Sequence, residues 1–174
     1  MARQPMSETD FRTPGKTKGA DPNVVKRSGT SLPLIGYIDA MPKDKSLYAL
    51  LFCAAAIDGR LHGDEIAEVN ALAVRTTTLG NASTKALQKM QEEIEAELGD
   101  ELKVMKLAEK ASRAFRRKPK RAASAFMHAL DILFADRDLT DREKTFVKQL
   151  ADFLQIPPAK ASAYVDVLMT KNEH

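Results

Sequence analysis

A run of 11 consecutive apolar residues, 47–57, reads Leu-Tyr-Ala-Leu-Leu-Phe-Cys-Ala-Ala-Ala-Ile and constrains the fold more than any other feature of the chain. A helix that is apolar on every side has to be enclosed by other elements, and this run is far short of the roughly 20 residues that cross a bilayer. The rest of the chain must supply the enclosure. From residue 44 onward apolar side chains recur at spacings of three and four, and β-branched runs of strand type are absent. The fold class this implies is all-α, a single-domain bundle of about seven helices.

The helices are expected over about 45–57, 63–79, 83–98, 101–117, 119–133, 141–154 and 157–168. Several boundaries have local reasons. Ser83 has the chemistry of an N-cap, Pro119 suits the first position of a helix, and Gly80 and Gly99 suit helix ends because glycine adopts the left-handed conformation without penalty. The fifth helix presents Ala122, Ala125, Phe126, Ala129, Leu130 and Leu133 as one packing face, with Ser124, His128 and Asp131 on the other.

Residues 1–43 differ from all this. They are rich in proline and glycine with little apolar periodicity, and are expected to form a disordered basic arm ahead of a helical domain at 44–174. The first thirty residues hold six Lys or Arg against Glu8, Asp10 and Asp21, whereas residues 31–174 balance at 21 of each, so the net charge of +3 resides in the arm. Gly15-Lys16-Thr17 lacks the upstream glycine spacing and preceding strand of a phosphate loop. The single cysteine, Cys53, excludes an internal disulfide framework and suits a reducing cytoplasm. No signal-peptide or transmembrane pattern is present, so a cytoplasmic location is expected.

A shift of 78 residues lays Asp58, Leu61, Glu65, Val69, Leu72 and Ala73 onto Asp136, Leu139, Glu143, Val147, Leu150 and Ala151. Both copies have an apolar helix ending in Asp, a loop with Leu three residues on, and a Glu opening the next helix. This implies a duplicated hairpin and an internal pseudo-twofold repeat. Thr140 and Glu143 have the spacing of a capping box, His62 and Glu65 stand in the equivalent places, and Asp58-Gly59 is ordinary turn chemistry. Neither loop is an EF-hand, since position twelve would be Val69 or Val147 instead of a bidentate glutamate.

The segments Asp58-Gly59-Arg60-Leu61-His62-Gly63-Asp64-Glu65 and Asp136-Arg137-Asp138-Leu139-Thr140-Asp141-Arg142-Glu143 resemble the paired Asp-Gly-x-Leu-x-x-x-Glu motifs of the tellurite-resistance protein B (TerB) family, over about residues 44–170. The second copy departs from the family in having Arg137 where glycine is usual. The resemblance implies a stress-response domain without an established catalytic activity, so a non-enzymatic role is expected, with no organic cofactor. It also implies an acidic surface binding a divalent cation through Asp58, Glu65, Asp136 and Glu143. If both loops meet at one end of the bundle, oxygen-only ligation suits Ca²⁺, Mg²⁺ or Mn²⁺, and the repulsion among four carboxylates is relieved either by that ion or by Arg60 or Arg137. The same residues also read as caps and turns of a metal-free adaptor module.

Arg113, Arg116, Arg117, Lys118, Lys120 and Arg121 put six cations into nine residues, opposite in charge to a block running from Glu92 to Glu101. This basic segment is the expected contact for a protein or membrane-surface partner; nucleic acid fits less well, because no stacking platform or recognition helix accompanies it. The blocks also read as solvated faces that attract each other. Oligomeric state has no signature in the sequence. His62, His128 and His174 lack helical ligand spacing for zinc and are expected at the surface. Cys53 is expected in the core, and His128 with Asp131 forms an acid/base pair only if a nucleophile stands beside it.

Overall fold

The structure, a computed structural model, describes residues 41–59, 61–135 and 139–172. Over these residues the chain forms α1 (Lys43–Ala55), α2 (Gly63–Arg75), α3 (Thr84–Glu95), α4 (Glu101–Ser112), α5 (Pro119–Leu133), α6 (Asp141–Phe153) and α7 (Pro158–Asn172), with no strand among the described residues. The expected arm falls almost wholly on residues 1–40, outside the described residues.

The apolar run is enclosed as its composition demands. Residues from Ser46 through Ala55 are all buried, and α1 packs against α2, α3, α4 and α5. Its one large polar side chain is accommodated at an edge of the core: the Tyr48 hydroxyl donates to Asn70 Oδ1 on α2, while its ring meets Phe52 edge-on with centroids 4.9 Å apart. Cys53 lies in the core as expected, its Sγ donating to Val104 O at 3.5 Å. The two motif-bearing hairpins, α1–α2 and α5–α6, pack through α1 against α5, and α4 bridges from α1 to α6.

Several helix ends differ from expectation, each for a local reason. α2 stops at Arg75 because Thr76 intervenes: its Oγ1 donates to Ala73 O at 2.8 Å and accepts from the Leu79 N–H at 3.1 Å. A side-chain hydroxyl here takes over hydrogen bonds that the helix would otherwise make. Gly80 is not a left-handed cap; a Cβ there would sit 2.8 Å from Thr76 O and 2.9 Å from Val74 O, so close backbone approach is what requires glycine. α4 ends at Ser112, and the turns after it keep Phe115 buried until Pro119 opens α5.

α6 closes without glycine. Gln155 takes φ +57°, its N–H reaches Asp152 O at 3.0 Å, and the Ile156 N–H reaches back to Ala151 O at 2.9 Å. That pair of bonds is a Schellman closure, with glutamine in the place glycine usually holds.

Candidate functional site

The first motif corner is built by the exit from α1. The Gly59 N–H bonds Ala56 O at 3.1 Å and Gly59 has φ +107°, a conformation that L side chains rarely adopt. Leu61 packs against the core, and the next residues open α2. There Glu65 folds back, its Oε2 accepting from the His62 N–H at 2.6 Å. The second corner repeats the device in full: Glu143 Oε2 accepts from the Thr140 N–H at 2.6 Å, and Thr140 Oγ1 accepts from the Glu143 N–H at 3.3 Å. Both glutamates of the repeat are therefore engaged as helix caps.

The two corners adjoin. Arg142, in the first turn of α6, donates from Nη1 to Asp58 O at 3.4 Å, and its Nε lies 3.8 Å from Glu101 Oε2. The positive charge seen at this junction is thus Arg142, a residue the sequence reading passed over although it precedes Glu143 within the motif. Arg60 and Arg137, the cations expected there, and Asp136 lie outside the described residues.

The donors suit a hard cation in chemistry, since all are oxygens. Among the described residues no three His, Cys, Asp or Glu side chains group closely enough to hold an ion. Glu65 and Glu143 each commit one oxygen to a backbone amide. Asp58, Glu65 and Glu143 thus do not by themselves form a cation cage.

The basic segment divides into two parts. Arg113 and Arg116 share Glu109 Oε1 at 3.3 and 3.7 Å, and Arg116 Nε also donates to Phe153 O at 3.1 Å, tying the end of α4 to α6. Arg117, Lys118, Lys120 and Arg121 are exposed and have no carboxylate partner among the described residues. Lys43, within hydrogen-bonding reach and through its charge, then partial desolvation and last the charge of Arg121 hold the Lys118 amine below the ordinary lysine range.

The acidic block does not pair with this segment. Glu93 meets Lys45 at 2.7 Å, and Glu97 meets Lys110 at 3.1 Å. The hydrogen bond and charge of Lys45 pull the Glu93 carboxyl below its usual range.

His128 also departs from expectation. It is half-buried, its Nδ1 has no partner among the described residues, and burial lowers its pKa while Asp131 opposes the shift. Asp131 pairs instead with Lys171, at 2.9 Å. The sequence placed both on one helix face but held no sign that Lys171, 40 residues on, would take the carboxylate.

Taken together, these features define, among the described residues, a bundle of seven helices in which the Asp58 turn adjoins the start of α6, and in which α2 and α6 each open on a capping glutamate. Residues 44–164 match the family described as Tellurite resistance protein TerB, which is well over half of the chain, and the chain belongs to that family. No curated protein and no solved structure gives a match.

Proposed function

We propose that this TerB-family chain is a non-enzymatic contact module, whose basic α4–α5 junction meets an acidic partner protein and whose paired corner fastens the two halves without a metal ion. The observation behind the contact is that Arg117, Lys118, Lys120 and Arg121 are exposed with no carboxylate against them among the described residues. Cations left in this state attract an acidic surface and raise its association rate. The metal-free corner rests on Glu65 and Glu143 serving as caps and on Arg142 supplying positive charge at Asp58 O.

Retention on an immobilised acidic polypeptide tests the contact. The full chain is expected to bind at low salt and release as the Debye length shrinks below about 8 Å, and Arg117→Gln with Lys120→Gln should release earlier. Absence of retention at low salt would count against it. Retention by anionic vesicles alone, or a salt-sensitive shift of nucleic acid alone, would replace the protein partner with that surface.

A second reading has its own observation. The Asp58 loop and the start of α6 adjoin, which puts Asp58, Glu65 and Glu143 on neighbouring corners together with the Asp58 carbonyl. On this reading Asp58, Glu65, Asp136 and Glu143 take up Ca²⁺, Mg²⁺ or Mn²⁺ after the side chains rearrange.

A further inference from the structure

A cleft of about 440 Å³ lies where three chain segments meet: the first turn of α1, the Thr77–Thr78 turn after α2, and the first turn of α5. Its floor is apolar, formed by buried Leu47, Phe115 and Ala125. Lys43 and Arg121 line it, and Lys118 stands beside Lys43. Against these three cations the lining holds one acid, Asp44, and none of the three makes an ion pair among the described residues. The hydroxyls of Thr77, Thr78 and Ser124 are exposed around the same space.

Crowding three cations at one place is unfavourable unless something of opposite charge joins them. The depressed Lys118 amine, caused first by Lys43, is a sign of that crowding. Two helices also begin here. Neither Pro42, before α1, nor Lys118, before α5, caps its helix with a side chain, so both N-termini add positive potential. Ammonium and guanidinium donors, hydroxyls and helix N-termini form the donor set that a phosphoryl group takes up. The apolar floor gives the remainder of such a ligand a surface to lie on.

We infer that this cleft binds the phosphoryl group of a small phosphorylated ligand through Lys43, Lys118 and Arg121, with the threonine hydroxyls completing the contacts. The cleft shares Lys118 and Arg121 with the partner contact and differs from it in Lys43, which lies outside the α4–α5 junction, and in leaving out Arg117 and Lys120.

Calorimetric titration of the full chain with inorganic phosphate and with pyrophosphate, at constant ionic strength set by chloride, tests it. Saturable binding is expected, tighter for pyrophosphate. Lys43→Gln, Lys118→Gln and Arg121→Gln should each weaken it about tenfold, the loss of one charge-assisted contact. All three residues are exposed, and an unchanged melting temperature would show that the variants fold. Binding only to phosphoinositide-containing vesicles, and lost in the same variants, would keep the phosphoryl site and assign it to a lipid headgroup. Silence toward both probes, or binding indifferent to all three substitutions, overturns the inference. Because Lys43→Gln leaves the junction cations in place, retention on acidic polypeptide should survive it, which separates failure of the cleft from failure of the partner contact.

Discussion

Arg142 Nη1 donates to the carbonyl oxygen of Asp58 across 3.4 Å, although 84 residues separate them. The bond joins the first turn of α6 to the loop leaving α1, so each half of the repeat touches the other at its motif. Arg142 is exposed, and its contribution to stability is correspondingly small, within about 1 kcal/mol. Its importance is electrostatic: it places a fixed positive charge at the corner where the family resemblance implies a divalent one.

Gly59 has φ +107°, with nothing nearer than Arg142 Nη1 at 3.9 Å to a Cβ built there. Steric room is therefore available and backbone strain alone opposes a side chain. Gly59→Ala should destabilise by about 1–2 kcal/mol in urea unfolding, and Gly59→Asn by less, because asparagine tolerates left-handed backbone better.

The capping glutamates can be separated from metal ligands by isosteric change. Thr140→Ala removes the hydroxyl that accepts from the Glu143 N–H and should cost about 1 kcal/mol. Glu143→Gln and Glu65→Gln keep a side-chain oxygen for the cap, and each should shift stability by no more than about 0.5 kcal/mol. A larger loss on either glutamine change, growing when Ca²⁺ is added to the wild type, would show that the carboxylate does more than cap.

Gln155 pays for its φ of +57° with left-handed strain of about 1–2 kcal/mol, while glycine would lose about 0.5–1 kcal/mol through its freer unfolded chain. Gln155→Gly should therefore raise stability by roughly 0.5–1 kcal/mol. A melting temperature unchanged or lowered would show that the glutamine side chain contributes contacts of its own.

Burial, reinforced by Glu95, pushes the Tyr48 phenol up to about 12 from 10.0. Between those values the folded chain holds a proton that the unfolded chain has released, so stability is intact below pH 10 and falls as pH rises from 10 to 12. The loss from this group should approach roughly 2–3 kcal/mol. Tyr48→Phe should flatten that part of the curve of unfolding free energy against pH, relative to wild type.

The architecture was legible because its strongest signals are local and redundant. The apolar run at 47–57 could only be central, Pro119 marked the start of α5, and Ser83 and Thr140 marked caps that form as read. What escaped the sequence depended on competition or on distance. Thr76 ends α2 through two hydrogen bonds of a single hydroxyl, and Gln155 closes α6 where no glycine announces it. At the candidate site, the cap geometry of Glu65 and Glu143 followed from spacing, whereas the approach of the two corners was only a condition of the cation reading and is set by helix packing. The bond from Arg142 to Asp58 O was not legible either, because several arginines lie in the two motifs and spacing alone singles out none of them. The convergence of Lys43 with Lys118 and Arg121 was equally hidden, since Lys43 stands 75 residues before Lys118.

The most direct test of a corner held by its own caps and arginine is the melting temperature of the full chain titrated with Ca²⁺, Mg²⁺ and Mn²⁺. A ligand that binds only the folded state at about 100 times its dissociation constant adds about 2.7 kcal/mol, a shift of several degrees. The expected result is a flat response to each ion into the millimolar range. A saturable rise that disappears in the Asp58→Asn, Asp136→Asn double variant would contradict the metal-free corner and install the cation in its place.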